Sequence, residues 1–153
     1  MVSGKRWELA TPRGSIQCSR IIHATNAYAS YLLPHMHGPE GIIPTRGQVI
    51  ATRANVPVDN LGKSGWIANE ASEYWFPRPP TGTENALVIL GGARAAGDDF
   101  EYYQTDDSVV DKNVGRALKD FLPGLFKGKF EKGREPEMEW VSTTVSQPIC
   151  LIL

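Results

Sequence analysis

Arg94 is the side chain whose chemistry points most directly to a small ligand. A guanidinium matches a carboxylate with two parallel hydrogen bonds, so Arg94 is a candidate partner for a substrate carboxylate. A surface salt bridge with Asp98 or Asp99 explains the same residue equally well. No Ser-His-Asp or Cys-His arrangement can be placed from the sequence. The sequence therefore leaves both explanations of Arg94 open, and the catalytic residues, including any general base, stay unknown.

The histidine and aspartate pairs do not indicate a metal site. His35 and His37 alternate in a loop that lacks the cluster of cysteine and carboxylate ligands that a zinc site requires. The pairs Asp98-Asp99 and Asp106-Asp107 lack the glycine and glutamate spacing of a calcium loop. We interpret the first pair as a solvated edge and the second as a helix cap, and we predict no metal.

Charge and cysteine content narrow the class of protein. The 153 residues include 16 basic and 17 acidic side chains, with a net charge of -1. This balance gives no electrostatic reason to expect nucleic acid or an anionic membrane as partner. Cys18 and Cys150 do not make a disulfide framework. With no apolar run of membrane-spanning length and no leader at the N-terminus, we expect a cytoplasmic location.

The first forty residues predict short elements in the order of a nucleotide-binding fold. Residues 7–10 and 15–19 flank the turn Thr11-Pro12-Arg13-Gly14 and predict a hairpin. Residues 21–24 form an apolar run typical of a buried strand. Asn26 is positioned to cap a short helix over residues 27–33, which Pro34 ends.

The remainder predicts an antiparallel or mixed sheet with one main helix, so the fold class is α/β (α+β). Strand candidates are residues 47–53, 65–69, 73–77, 86–91 and 137–140. We expect Asp107-Ser108 to cap the helix and Pro123-Gly124 to end it. Its apolar stripe is predicted to consist of Val110, Val114, Leu118 and Phe121.

Five segments together resemble the D-amino-acid-oxidase-like family of FAD-dependent oxidoreductases. They are Ile21-Ile22-His23-Ala24-Thr25-Asn26-Ala27-Tyr28 with Leu32-Leu33-Pro34, Ile43-Pro44-Thr45-Arg46-Gly47-Gln48-Val49, the paired strands Glu73-Tyr74-Trp75 and Leu90-Gly91-Gly92-Ala93-Arg94, Asp106-Asp107-Ser108 with the helix to Leu122-Pro123, and Glu139-Trp140. Their order and spacing are those of the family, over about residues 6–140. The resemblance implies oxidation of a C–N bond in a small amine or amino acid, with hydride passing to FAD.

The same resemblance implies which residues meet the cofactor and the substrate. The cofactor candidates are Ala24, Thr25, Asn26, Arg46 and Gly47, and the substrate-pocket candidates are Arg46, Gln48 and Arg94. A simple helix cap is the alternative for Thr25 and Asn26. An ordinary pair of surface residues on a strand is the alternative for Arg46 and Gln48.

Two departures from the family pattern predict a fragment. The glycine-rich turn that binds pyrophosphate is absent, and the pattern breaks at Val141-Ser142. We expect residues 1–43 to be a remnant of the FAD-binding domain and residues 44–140 to be part of the substrate domain. Residues 141–153 are expected to be a non-native tail without packing partners, translated from an unspliced intron or a frameshift. Alone, the chain is expected to be inactive.

One alternative function comes from a different class. The chain can instead be a non-catalytic pseudo-domain that folds alone and binds a protein partner through an exposed sheet. Flavin absorbance of the purified protein separates the two, since yellow material supports the oxidoreductase and colourless, monodisperse material supports the pseudo-domain.

Overall fold

A computed structural model describes residues 7–70, 72–79, 82 and 84–145, which form two antiparallel sheets and few helices. The strands are β1 Trp7–Thr11, β2 Gly14–Cys18, β3 Pro44–Arg53, β4 Trp66–Ala68, β5 Glu73–Pro77, β6 Leu87–Gly91 and β7 Met138–Val145. The α-helices are α1 Ala29–Leu32 and α2 Lys112–Leu125. Short 3-10 turns lie at Asn26–Tyr28, Pro34–Met36, Val58–Asn60, Arg94–Ala96 and Asp98–Glu101.

The predicted hairpin is confirmed and forms the smaller sheet. Strand β1 pairs with β2 from Trp7 opposite Cys18 to Thr11 opposite Gly14. The Thr11 hydroxyl donates to the Gly14 carbonyl at 2.7 Å, and Gly14 adopts a φ of 121° that a glycine tolerates without strain. The apolar side chains of the hairpin, such as Trp7 and Ile16, are exposed.

The larger sheet has five strands in the order β4-β5-β6-β3-β7, and every neighbouring pair is antiparallel. Strand β3 is the longest and pairs with β6 on one side and β7 on the other. The predicted α/β fold class, with an antiparallel sheet and one main helix, is confirmed. Residues 49–53 of β3 pair directly with residues 87–91 of β6.

Helix α2 covers one face of this sheet and builds the core. Val114, Leu118 and Leu122 are its fully buried apolar residues, and they pack with sheet residues that include Ile50 and Leu90. This spacing places the three side chains on one stripe of the helix. The other members of the buried cluster are Ala54, Val58, Trp75, Ala86, Val88, Ala93 and Phe130.

The start and end of α2 differ from the prediction. Asp111 is the N-cap, and its carboxylate accepts hydrogen bonds from the backbone N–H of Asn113 at 2.8 Å and Val114 at 2.9 Å. The predicted cap at Asp107-Ser108 was wrong, because Ser108 is engaged in a local turn with Asp106.

Two further residues of the predicted helix behave differently. Val110 lies before the helix and is exposed, so it is not part of the stripe, whereas Phe121 is half-buried against the core. The helix runs through Pro123 to Leu125, because a proline in the last turn removes only one backbone hydrogen bond there.

The expected strand over residues 21–24 was wrong. These residues are in no strand, and Ile22 is 90% exposed. A strand needs a neighbour to satisfy its backbone groups, and no described residue supplies one at this point. The expected helix over residues 27–33 is shorter, with α1 limited to Ala29–Leu32 after a 3-10 turn. Asn26 does not cap it, because Asn26 adopts a left-handed φ of 48°.

Residues 141–145 contradict the expectation of a tail without packing partners. Strand β7 continues through them and pairs with β3 as far as Val145 opposite Pro44. The reason is the length of β3, whose ten residues offer backbone partners well beyond Trp140. The remainder of the expected tail, residues 146–153, lies outside the described residues, and its origin stays a prediction.

Candidate functional site

Arg46 binds several segments of the chain at once. Its Nε donates to the carboxylate of Glu101, and its Nη1 donates to the carbonyl of Val109 at 3.3 Å. Its Nη2 lies 4.0 Å from the carboxylate of Asp111. The side chains of Arg46 and Glu101 are only 11% and 4% exposed. Each guanidinium nitrogen therefore faces an acceptor within the protein.

The surroundings of Arg46 stabilise its positive charge. The hydrogen bond to Glu101 raises the pKa of Arg46 above its ordinary value, and the charges of Glu101 and Asp111 act in the same direction. Partial burial opposes the shift. Arg46 is therefore a permanent cation whose charge is balanced inside the molecule.

Gln48 joins three elements through one amide. Its Nε2 donates to Glu139 Oε1 at 2.8 Å and to the carbonyl of Asp111 at 3.2 Å. Its Oε1 accepts the backbone N–H of Asp111 at 3.0 Å. Because Gln48 is 3% exposed, this amide ties β3 to β7 and to the N-terminus of α2.

Glu101, Asp111 and Glu139 are the partners that sequence reasoning missed. Glu101 lies 55 residues from Arg46 and Glu139 lies 91 residues from Gln48, so no local spacing connects them. Asp111 alone had a signal, as an aspartate directly before the helix.

A strained turn carries Glu101 to Arg46. Asp99, Phe100 and Glu101 all have left-handed backbones, with φ of 45°, 56° and 63°. Non-glycine residues seldom adopt this conformation because the Cβ atom crowds the following carbonyl. The buried ion pair with Arg46 holds the turn against the start of β3.

Arg94 follows a sharp reversal at the end of β6. Gly92 has a φ of 118°, and a Cβ at this position would overlap the backbone of Ser72. Ala93 is also left-handed, at a φ of 55°. Among the described residues, Arg94 has no carboxylate within 4 Å, so the salt bridge with Asp98 or Asp99 does not form.

Gln48 and the segment that carries Arg94 lie on the same side of the sheet. The 3-10 turn Arg94–Ala96 packs against α2, which is also the element that the Gln48 side chain contacts. The backbone N–H of Gly92 donates to the Gln48 carbonyl at 3.3 Å. The end of β6 is thus fixed directly to the position of Gln48.

The cofactor candidates of the N-terminal segment come together with β3 and β7. Asn26 Nδ2 donates to the Thr143 carbonyl at 3.3 Å, and Thr143 is the cross-strand partner of Arg46. Thr25 Oγ1 is buried and has no hydrogen-bond partner among the described residues. A buried hydroxyl without a partner is uncommon and indicates a missing acceptor or donor.

Ala24 and Gly47 show no feature that demands their residue type. Ala24 is exposed and lies in no regular element. A Cβ at Gly47 would meet only the Ser142 carbonyl, at an ordinary contact distance of 3.7 Å. Their assignment to the cofactor therefore stays an expectation from the resemblance.

The sheet face opposite α2 is an open aromatic surface. Because side chains alternate along a strand, the neighbours of the buried Trp75 and Leu90 project away from the helix. Tyr74 lies against Gly91, where a Cβ would overlap the phenol ring. We call this surface the open face. It contains Ile67, Tyr74, Phe76, Ile89, Met138 and Trp140, of which Ile89 is half-buried and the others are exposed.

The described residues contain neither a metal-binding cluster nor a helix that could span a membrane. No group of three or more His, Cys, Asp or Glu side chains could hold a metal ion in this part of the chain. None of the helices formed by the described residues has both the length and the apolar character needed to cross a membrane.

Comparison with known proteins places the chain in a family. A search of curated proteins finds no match. The model of the DAO family, described as FAD dependent oxidoreductase, matches residues 2–147. This match covers nearly the whole chain and agrees with the segments that carried the resemblance. The chain therefore belongs to the DAO family of FAD-dependent oxidoreductases.

Proposed function

We propose that this chain takes part in oxidising a C–N bond of a small amine or amino acid, with FAD as the hydride acceptor. The flavin supplies the redox chemistry when bound, and oxygen or another acceptor reoxidises it. The protein groups bind and orient the flavin and the substrate. The observation that carries the proposal is the buried, unpartnered hydroxyl of Thr25 beside the junction of β3 and β7.

Thr25 and Asn26 are the proposed cofactor contacts. The Thr25 hydroxyl can donate to or accept from a polar ligand atom without losing an existing bond. Asn26 already donates one amide hydrogen to Thr143, which fixes the orientation of the segment. A free group on a fixed segment suits a cofactor contact, because little side-chain entropy is lost on binding.

Arg46 and Gln48 are proposed to be positioning residues that hold the elements around this site in place. Their polar atoms already have partners in the protein, so they hold β3, β7 and α2 at the distances the site needs. Arg94 differs, because it has no ion-pair partner among the described residues. It is the proposed partner of a substrate carboxylate.

The chain alone is proposed to bind FAD weakly and to be inactive. Among the described residues, residues 21–24 form no strand, and Ile22 projects into solvent where a packed sheet would bury it. A few polar contacts do not offset the entropy lost on fixing a dinucleotide. We therefore expect binding of FAD to this chain to be weak and confined to a few residues.

The experiment is a ¹⁵N-HSQC titration of the whole chain with FAD. We expect backbone shifts confined to residues 25–28, the start of β3 and residues 141–145. Thr25→Val should remove most of the shift, while Thr11→Val, in the separate hairpin, should leave it unchanged. No shift at millimolar FAD would contradict the cofactor site, and micromolar one-to-one binding or amine turnover would contradict the proposed weak binding.

A second titration tests the substrate class. An amino acid should shift residues 92–96, whereas the matching amine without a carboxylate should not. Arg94→Met should abolish this shift and Arg78→Met should preserve it. Equal responses to both compounds would contradict a carboxylate role for Arg94.

The open face supports one alternative, a non-catalytic domain that binds a protein partner. Contiguous exposed apolar surface of this kind is typical of interaction sites. Purified protein without the visible absorbance of flavin, and without any response to FAD in the titration, would favour this alternative.

A further inference from the structure

The outer edge of β7 presents free backbone groups along part of its length. The Thr143 carbonyl accepts from Asn26, so it points away from β3. Backbone groups alternate in direction along an antiparallel strand, and those of Glu139 and Val141 therefore also point outward. Gln48, the partner of Val141, agrees with this assignment, since its carbonyl accepts from Gly92 on the β6 side.

The neighbouring elements limit how much of this edge is free. The 3-10 turn Asn26–Tyr28 packs against β7 and uses the outward carbonyl of Thr143. No described residue makes a strand beyond β7, which is the last strand of the sheet. Residues 138–142 are consequently the accessible part of the edge.

This accessible part lacks the devices that usually protect an edge strand. Residues 138–142 read Met-Glu-Trp-Val-Ser, with no proline and no lysine. Proline, lysine and bulges are the common means by which proteins prevent strand-to-strand association. The Glu139 carboxylate does not serve this purpose, because it bonds to Gln48 on the helix side.

We propose that a second copy of this chain pairs with the edge of β7, antiparallel and centred on Trp140. In this register Glu139 faces Val141 of the second copy, and each such pair exchanges backbone hydrogen bonds in both directions. Trp140 faces Trp140 of the second copy on the open face, as a close, non-hydrogen-bonded pair. Cross-strand aromatic pairs of this kind stabilise sheets.

The register is compatible with both charge and shape. It places no like charges directly opposite each other, since Glu139 meets Val141 and Met138 meets Ser142. The net charge of -1 on each copy gives little repulsion. The two-fold axis lies perpendicular to the sheet, so α2 of both copies lies on the same side and the open faces join.

The first test is sedimentation velocity of the whole chain from about 1 to 200 µM. We expect a concentration-dependent dimer. Val141→Pro should raise the dissociation constant at least about 10-fold, because it removes an outward N–H that β3 does not use. Val141→Thr, which keeps that N–H, should retain the dimer.

A disulfide test does not depend on the proline variant folding. In a Cys18→Ser, Cys150→Ser background, Trp140→Cys places two thiols in a close cross-strand pair and should form a dimer on oxidation. Ser142→Cys lies on the same face but meets Met138 of the second copy, so it should remain monomeric. A monomer at every concentration, a dimer that persists in Val141→Pro, or equal cross-linking of both cysteine variants would overturn the proposal.

Discussion

The polar side chains of β3 show how individual residues hold this molecule together. Arg46 and Gln48 each contact several backbone segments, and both are mostly buried. The Arg46–Glu101 pair is largely shielded from water, so each charge depends on the other. Stability at this junction therefore responds sharply when one partner is removed.

Removing the charge of Arg46 should destabilise the protein strongly. Arg46→Met leaves Glu101 buried without a partner, which should lower the free energy of unfolding by about 3–5 kcal/mol. Urea denaturation measures the change. Arg116→Met, on the exposed face of α2, should stay within about 0.5 kcal/mol. A double Arg46→Met/Glu101→Met variant should recover part of the loss, and an Arg46→Met effect as small as the Arg116 control would refute the buried role.

A second arginine, Arg53, makes the free energy of unfolding depend on pH in the acidic range. The hydrogen bond from Arg53 lowers the pKa of Glu137 below its ordinary value. Since the folded-state pKa is depressed, the stabilisation is present above the ordinary glutamate pKa and is lost as the pH falls through the folded value.

Both partners of this pair are partly exposed, so we expect an effect below about 1 kcal/mol. Glu137→Gln and Arg53→Met should each flatten the acid limb of stability below about pH 4.3. Urea midpoints measured between neutral and acidic pH test this, and an acid limb unchanged in both variants would count against it.

At the scale of elements, the positions of strands could be predicted from the sequence better than the ends of the main helix. Residues 47–53, 73–77 and 86–91 carry β-branched or aromatic residues between turn signals, and all three are strands. The ends of α2 depended on competition between neighbouring candidates. Asp111 is the N-cap in place of Asp107-Ser108, because Ser108 forms a local hydrogen bond with Asp106.

Two glycines of α2 should respond in opposite directions to the same substitution. At Gly115 a Cβ would lie 2.8 Å from Glu139 Oε1 and 2.9 Å from Gln48 Nε2, where the helix approaches the sheet. Gly115→Ala should therefore cost about 1–3 kcal/mol through overpacking. At Gly124 a Cβ meets nothing within 4 Å, so Gly124→Ala should gain up to about 1 kcal/mol of helix stability. Thermal unfolding of the two variants decides, and shifts of the same sign would contradict this account of the helix contact.

The apolar stripe of α2 gives a further pair of opposed expectations. Leu118 is fully buried in the core, so Leu118→Ala should cost about 2–5 kcal/mol. Val110 lies outside the helix and is exposed, so Val110→Ala should change the free energy of unfolding by less than about 0.5 kcal/mol. Chemical denaturation compares them, and a Leu118→Ala cost below 0.5 kcal/mol on the same scale would place the stripe in solvent.

At the scale of the whole molecule, less could be predicted from the sequence than at the scale of single elements. The family and the antiparallel sheet followed from short motifs in the right order. The junction around Arg46 could not be predicted, because its partners come from segments that only the fold brings together. The strand over residues 21–24 failed for a related reason, since apolar pattern alone does not supply a neighbouring strand.

The hairpin should be dispensable for the rest of the fold. Strands β1 and β2 form their own sheet, and their side chains are almost all exposed. A variant that lacks residues 1–18 should keep its free energy of unfolding, measured by urea denaturation, within about 1 kcal/mol of the full chain, because few buried contacts are lost. A variant that ends at residue 137, and so lacks β7, should not fold. A large loss on hairpin removal would show contacts that the exposed side chains do not suggest.

The left-handed turn at residues 99–101 has a consequence for the order of folding. Each of its residues is less stable in this conformation than in the right-handed one, by roughly 1–2 kcal/mol. An unfolded chain therefore gains nothing by forming the turn early, before β3 has placed Arg46. The turn should close after the rate-limiting barrier has been crossed. The Arg46–Glu101 pair would then set how long the native state lasts, with little influence on how quickly it is reached.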